Sequence, residues 1–98
     1  MTMSEPAYSV VTTAHFDRLL KKLAPKHPEL LERFEETIAI LSTDPNNKSQ
    51  RYAIKKLRNV AVGEGQYRLR SGRFRFRYDI VGSEVILQHC GLRRDDTY

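Results

Sequence analysis

From Tyr67 to Ile80 the sequence reads YRLRSGRFRFRYDI, two alternating runs of basic and apolar residues around Ser71-Gly72. An alternation of period two puts successive side chains on opposite faces of a strand. A two-residue loop is the usual length for a tight hairpin. With Ser71-Gly72 as that loop, Leu69 faces Phe74 and Tyr67 faces Phe76 on one side, while Arg70 faces Arg73 and Arg68 faces Arg75 on the other. Like charges directly opposite each other on neighbouring strands destabilise by roughly the 0.2–1 kcal/mol that good pairs contribute. Five arginines, including Arg77, thus share one face at a cost to folding, and the pattern calls for an anion there. Phosphate is the natural candidate, because the guanidinium fork grips it in bidentate fashion.

The remaining elements are arranged around this hairpin. Tyr8–Thr12 is β-rich and predicts a first strand. Thr13 can cap a helix from Ala14 to about Ala24, with Phe16, Leu19, Leu20 and Leu23 on one face. Pro28 suits the first position of a second helix, which carries Leu30, Leu31, Phe34, Ile38 and Leu41 inward and must end by Asp44-Pro45. The polar stretch Asp44–Ala53 reads as a loop, and Ile54–Val60 is either a short strand or an extended connector. Gly82-Ser83 makes a second tight turn before a strand over Val85–Leu92. The expected order is β-α-α-β-β-β, an α+β domain spanning 1–98 in which an antiparallel meander packs on an N-terminal helical hairpin. Phe74, Phe76, Tyr78 and Ile80 face the helices, with Tyr67 and Leu69 beside them, and the arginines point away, as one-sided burial of an antiparallel sheet requires.

Composition narrows the function classes. The net charge of +5 over 98 residues is uneven: residues 1–47 hold five Lys/Arg against seven Asp/Glu, and residues 48–98 hold twelve against five. The halves therefore stand at −2 and +7, which localises the positive charge and favours a polyanion-binding surface. One cysteine, Cys90, excludes an internal disulfide and reads as a small buried hydrophobe. No apolar run reaches the length of a membrane span, and the N-terminus lacks a signal-peptide layout, so a cytoplasmic protein is expected. The histidines at 15, 27 and 89 are scattered, which suggests neither a metal cluster nor a cofactor site.

Taken together, the helical pair, the segment DP…KKLRN from Asp44 to Asn59, the arginine hairpin and the closing LRRDDTY resemble the RelE/ParE superfamily of bacterial type II toxins, in particular the RelE-like branch of ribosome-dependent mRNA interferases. The resemblance covers nearly the whole chain. It implies an endoribonuclease that cuts mRNA in the ribosomal A site, is blocked by a cognate antitoxin protein, and uses neither metal nor cofactor. It places the active surface on Arg68, Arg70, Arg75, Arg93 and Tyr98, with Arg94 as an alternative to Arg93. Lys56 and Arg58 match a basic pair suited to RNA contact, to which Lys55, Arg73, Arg77 and Arg94 add further positive charge. The chain departs from the branch at 68 and 70, where lysine is common. Lysine with a lowered pKa can act as a base, whereas arginine effectively cannot.

The chemistry this implies is attack of the RNA 2′-hydroxyl on the adjacent phosphorus, which needs in-line geometry, cationic stabilisation of the transition state and help with two protons. On this reading Arg75 and Arg93 hold the scissile phosphate, and Arg68 and Arg70 stabilise charge. Tyr98 either stacks on a base or moves a proton. His89 is either an ordinary sheet histidine or a proton-transfer group, being the nearby side chain whose unperturbed pKa is closest to neutrality. Two other functions fit the same residues: a ParE-like toxin that poisons DNA gyrase, and a non-catalytic RNA-binding protein.

Overall fold

The computed structural model describes residues 7–93. Its elements run β1 (Ser9–Thr12), α1 (Ala14–Leu23), α2 (Glu29–Thr43), β2 (Ile54–Lys56), β3 (Tyr67–Ser71), β4 (Phe74–Val81) and β5 (Glu84–Leu92), and the strands form one sheet in the order β1-β5-β4-β3-β2. The α+β class and the helices-on-meander architecture are as the sequence implied. The structure adds two features to that outline. Ile54–Lys56 is a strand, paired antiparallel with β3 at the sheet edge, and β1 lies parallel to β5, which makes the sheet mixed.

Local chemistry explains the helix ends. Thr13 Oγ1 accepts from the Phe16 backbone N–H at 3.0 Å and starts α1, satisfying a donor that has no partner inside the helix. Pro28 occupies the N-cap of α2 rather than its first turn. At the other end Asp44 stops the helix. Its carboxylate accepts from the Lys48 and Ser49 backbone N–H groups and from Ser49 Oγ, which turns the chain sharply and holds the Asp44 carboxyl below its ordinary value.

The core lies between the helices and the inner sheet face. Phe16, Leu30, Leu41, Leu69, Phe74, Phe76, Tyr78, Val85, Leu87 and Cys90 are all buried. The helices meet where the Phe16 and Phe34 rings lie 5.5 Å apart; α1 then rests on β5, and α2 on β1, β3 and β4. Tyr78 donates its hydroxyl to the Pro45 carbonyl at 2.7 Å, and burial raises its pKa. The inner stripe of α2 differs from expectation at Leu31 and at Ile38, in whose place Ile40 packs against the core. Leu31 is half exposed, and Thr37 takes the buried place, because the buried set 30, 37, 41 follows a 3.6-residue period that 31 does not join.

The hairpin register also differs. The loop is Gly72-Arg73, not Ser71-Gly72, so that Tyr67 pairs with Tyr78, Arg68 with Arg77, Leu69 with Phe76 and Arg70 with Arg75. Gly72 has φ +61°, the first central position of a II′-type loop; with Ser71-Gly72 as the loop, a serine would have to take that conformation. Moving the loop by one residue shifts the pairing by two, and a shift of two leaves every side chain on the face the alternation assigned to it. Arg73 is the exception, since it leaves the strand and sits in the turn. There it donates to Glu29 Oε2 at 3.1 Å and lies 3.0 Å from His27 Nδ1, tying the hairpin tip to the start of α2.

Candidate functional site

The sheet's outer face is built from rows of paired residues. One row runs Lys55–Arg68–Arg77–His89 across β2, β3, β4 and β5, and the next runs Arg70–Arg75–Gly91 across β3, β4 and β5. The strand period thus places Arg68, Arg70, Arg75 and Arg77 on one surface, as expected from the alternation. Arg93 joins them from just beyond β5, where its backbone N–H donates to the Arg73 carbonyl at 2.6 Å. The Arg75 guanidinium is held below the ordinary arginine value, first by burial and then by repulsion from Arg68, Arg93 and Arg70. Four of the five residues that the resemblance assigns to the active surface therefore share one electrostatic neighbourhood. The fifth, Tyr98, lies outside the described residues, as does Arg94.

The other basic candidates are distributed differently. Lys55 extends the first row at the exposed edge. Lys56 points to the opposite side, with its Nζ 5.7 Å from the centre of the Tyr67 ring. Arg58 is exposed just past β2. Arg73 is held at the hairpin tip by Glu29 and His27.

A second centre on this face has no counterpart in the sequence reading. Asp79, on β4, is fully buried and accepts from the backbone N–H groups of Gly63, Gly65 and Gln66 at 2.9–3.0 Å, and from Gln88 Nε2 at 3.0 Å. Arg77 completes the arrangement by donating Nε and Nη2 to the Gly65 carbonyl at 3.1 and 3.0 Å. Gly65 has φ +86°, and a Cβ there would come within 2.8 Å of Arg77 Cβ, so the loop can lie this close only with glycine. The signal in the sequence is an acidic residue inside a predicted buried strand, combined with the Gly63-x-Gly65 spacing.

The outer position of His89 comes from a β-bulge. Arg77 pairs with His89 but Tyr78 pairs with Leu87, which leaves Gln88 as the extra residue. Such a bulge re-aims side chains, and here it serves both Gln88, which reaches Asp79, and His89, which sits opposite Arg77. Partial burial, His15 at 6.0 Å between ring centroids, and Arg77 all push the His89 pKa down, so its imidazole is neutral at pH 7. Cys90 faces the core, and burial raises its thiol to about 12, in keeping with a small buried hydrophobe.

No protein-family model matches the chain. A curated relative from Methanocaldococcus jannaschii, provisionally named toxin RelE1, is 34% identical over 82 residues, covering 83% of this chain and 87% of the relative. The chain belongs to the RelE toxin family. Its fold agrees. A chain of the archaeal RelE–RelB complex from Pyrococcus horikoshii superposes with a TM-score of 0.65 at 22% identity, covering 89% of this chain and 96% of the other. A chain of the RelB–RelE complex from Methanococcus jannaschii gives 0.55 at 18% identity, covering 87% and 92%. In this RelE-family chain, no described helix is long and apolar enough to cross a membrane.

Proposed function

We propose that this protein is the toxin of a type II toxin–antitoxin pair and cuts mRNA in the ribosomal A site, restrained by a RelB-like antitoxin. The observation that carries the reading is the convergence of Arg68, Arg70, Arg75 and Arg93 on one sheet face, in a chain of the RelE family. Such a surface can grip a backbone phosphate and stabilise the charge that develops when the neighbouring 2′-hydroxyl attacks phosphorus. Arg75 and Arg93 hold the scissile phosphate, Arg68 and Arg70 orient the strand, and Lys55 and Arg58 extend the path for flanking phosphates.

Arginine at 68 and 70 remains protonated and supplies charge rather than a base. His89, neutral and one row from Arg75, is the described side chain suited to accept a proton, with Tyr98 as the stacking or proton-transfer residue. The chemistry needs no metal, and the ribosome supplies the in-line geometry. An acidic antitoxin segment is the partner whose charge suits this face, and covering it would relieve the repulsion between the arginines.

The test is mRNA cleavage on programmed ribosomes by the wild-type protein, Arg75→Ala and an Arg68→Ala/Arg70→Ala double variant. Cuts inside the A-site codon, reduced about 10²–10³-fold in Arg75→Ala, are the expected result. Intact mRNA from wild-type protein that still arrests growth would overturn the reading and direct attention to gyrase.

A further inference from the structure

A cavity of about 380 Å³ opens beside the arginines, where α1 runs along the last residues of β5. On the α1 side Leu19 and Leu23, a helical turn apart, form an apolar strip with Lys22 beside it. The sheet side carries Arg68 on β3 and Arg75 and Arg77 on β4, with His89 and Gly91 on β5 nearer the helix. β1 pairs with β5 only from Glu84 to Leu87, so beyond that point the helix, not a strand, borders β5.

The lining selects a particular ligand chemistry. An apolar strip beside guanidinium groups suits a flat, weakly polar body joined to an anion. The volume falls within the range of small-molecule sites, which starts at roughly 300 Å³. Arg68 Nε is buried and finds no hydrogen-bond acceptor among the described residues, so one donor on the charged wall awaits a partner. Gly91 shapes the space, since a Cβ there would approach His89 Cε1 to 3.3 Å and press on the ring.

We propose that this cavity is a nucleotide subsite, in which one base of the RNA lies against Leu19 and Leu23 while its phosphate meets Arg68 and Arg75. The inference deepens the RNA-cutting reading and rests on it for the choice of ligand. It adds a role for α1, whose side chains would then contact a base beside the cut and weigh on which codons are taken.

The probes are adenosine 3′-monophosphate and inorganic phosphate, titrated separately into the full chain and followed by NMR of the histidine rings. The nucleotide should bind about tenfold more tightly than phosphate and shift the His89 resonances. Leu23→Trp, which fills the cavity, should erase that margin while leaving phosphate affinity within about twofold. Leu19→Ala, a milder change, should narrow it and guards against a folding failure of the first variant. Equal affinities for nucleotide and phosphate, or a margin that survives both variants, would overturn the subsite. So would a peptide pairing an aromatic residue with an acid that binds more tightly than the nucleotide. None of these readouts involves cleavage. A protein that passes them but leaves ribosomal mRNA intact refutes the cutting reading, and one that cuts but fails them refutes the subsite.

Discussion

At one end of the sheet's outer face a single carboxylate is surrounded by donors; at the other, arginines stand opposite arginines. Asp79 takes three backbone N–H groups and the Gln88 amide, and Arg77 beside it donates twice to the Gly65 carbonyl. Every charged group there is matched by a fixed partner within the fold. Across the same strands Arg70 pairs with Arg75, and Arg68, Arg70 and Arg93 all raise the cost of charge on Arg75. The first centre holds a loop in place, and the second concentrates positive potential. Two arginines only two places apart in sequence, Arg75 and Arg77, therefore differ in setting: like charges crowd the first, and the Gly65 carbonyl fixes the second.

The largest expected effect falls on the matched end. Asp79→Ala removes the acceptor of three backbone N–H groups, that of Gly65 fully buried, and of the Gln88 amide, and should cost about 3 kcal/mol in urea unfolding. A loss below about 1 kcal/mol would mean that the 57–66 loop is held by something else. Gly65→Ala should follow at about 2 kcal/mol, from its positive φ and the 2.8 Å approach to Arg77 Cβ. A stability equal to wild type would show that the loop can move off the sheet freely.

A smaller effect, in direction only, belongs to His89, whose folded pKa lies below the free value of 6.5 through burial, His15 and Arg77. The unfolded chain then binds more protons in that window, so His89's contribution to stability is complete above pH 6.5 and is lost as the pH falls through the folded pKa. His89→Gln should flatten the stability profile below pH 6.5, and an unchanged slope would place the titration elsewhere.

The sequence made some of this legible and not the rest, for physical reasons. Helix limits were readable to within about a residue because their causes are local: the Thr13 cap, Pro28 and the Asp44-Pro45 stop. The arginine face was readable because a period of two survives a register error of two. The register itself was not, because Ser71-Gly72 and Gly72-Arg73 are equally short loops and only backbone φ separates them. Asp79 escaped because its partners are backbone N–H groups 13–16 residues away, which no side-chain pattern announces. The bulge at Gln88 and the strand at Ile54–Lys56 depend on tertiary pairing in the same way. Leu31 was misassigned because a leucine on a helix looks buried until the period is tracked through Thr37.

The central claim is that the arginine face is kept for RNA at some expense to the fold. It is tested most directly by measuring urea unfolding and ribosomal mRNA cleavage on one variant, Arg68→Gln/Arg70→Gln. The account predicts a protein as stable as wild type, or more stable by up to about 1 kcal/mol, that no longer cuts. A variant that loses stability and still cuts A-site codons would contradict it.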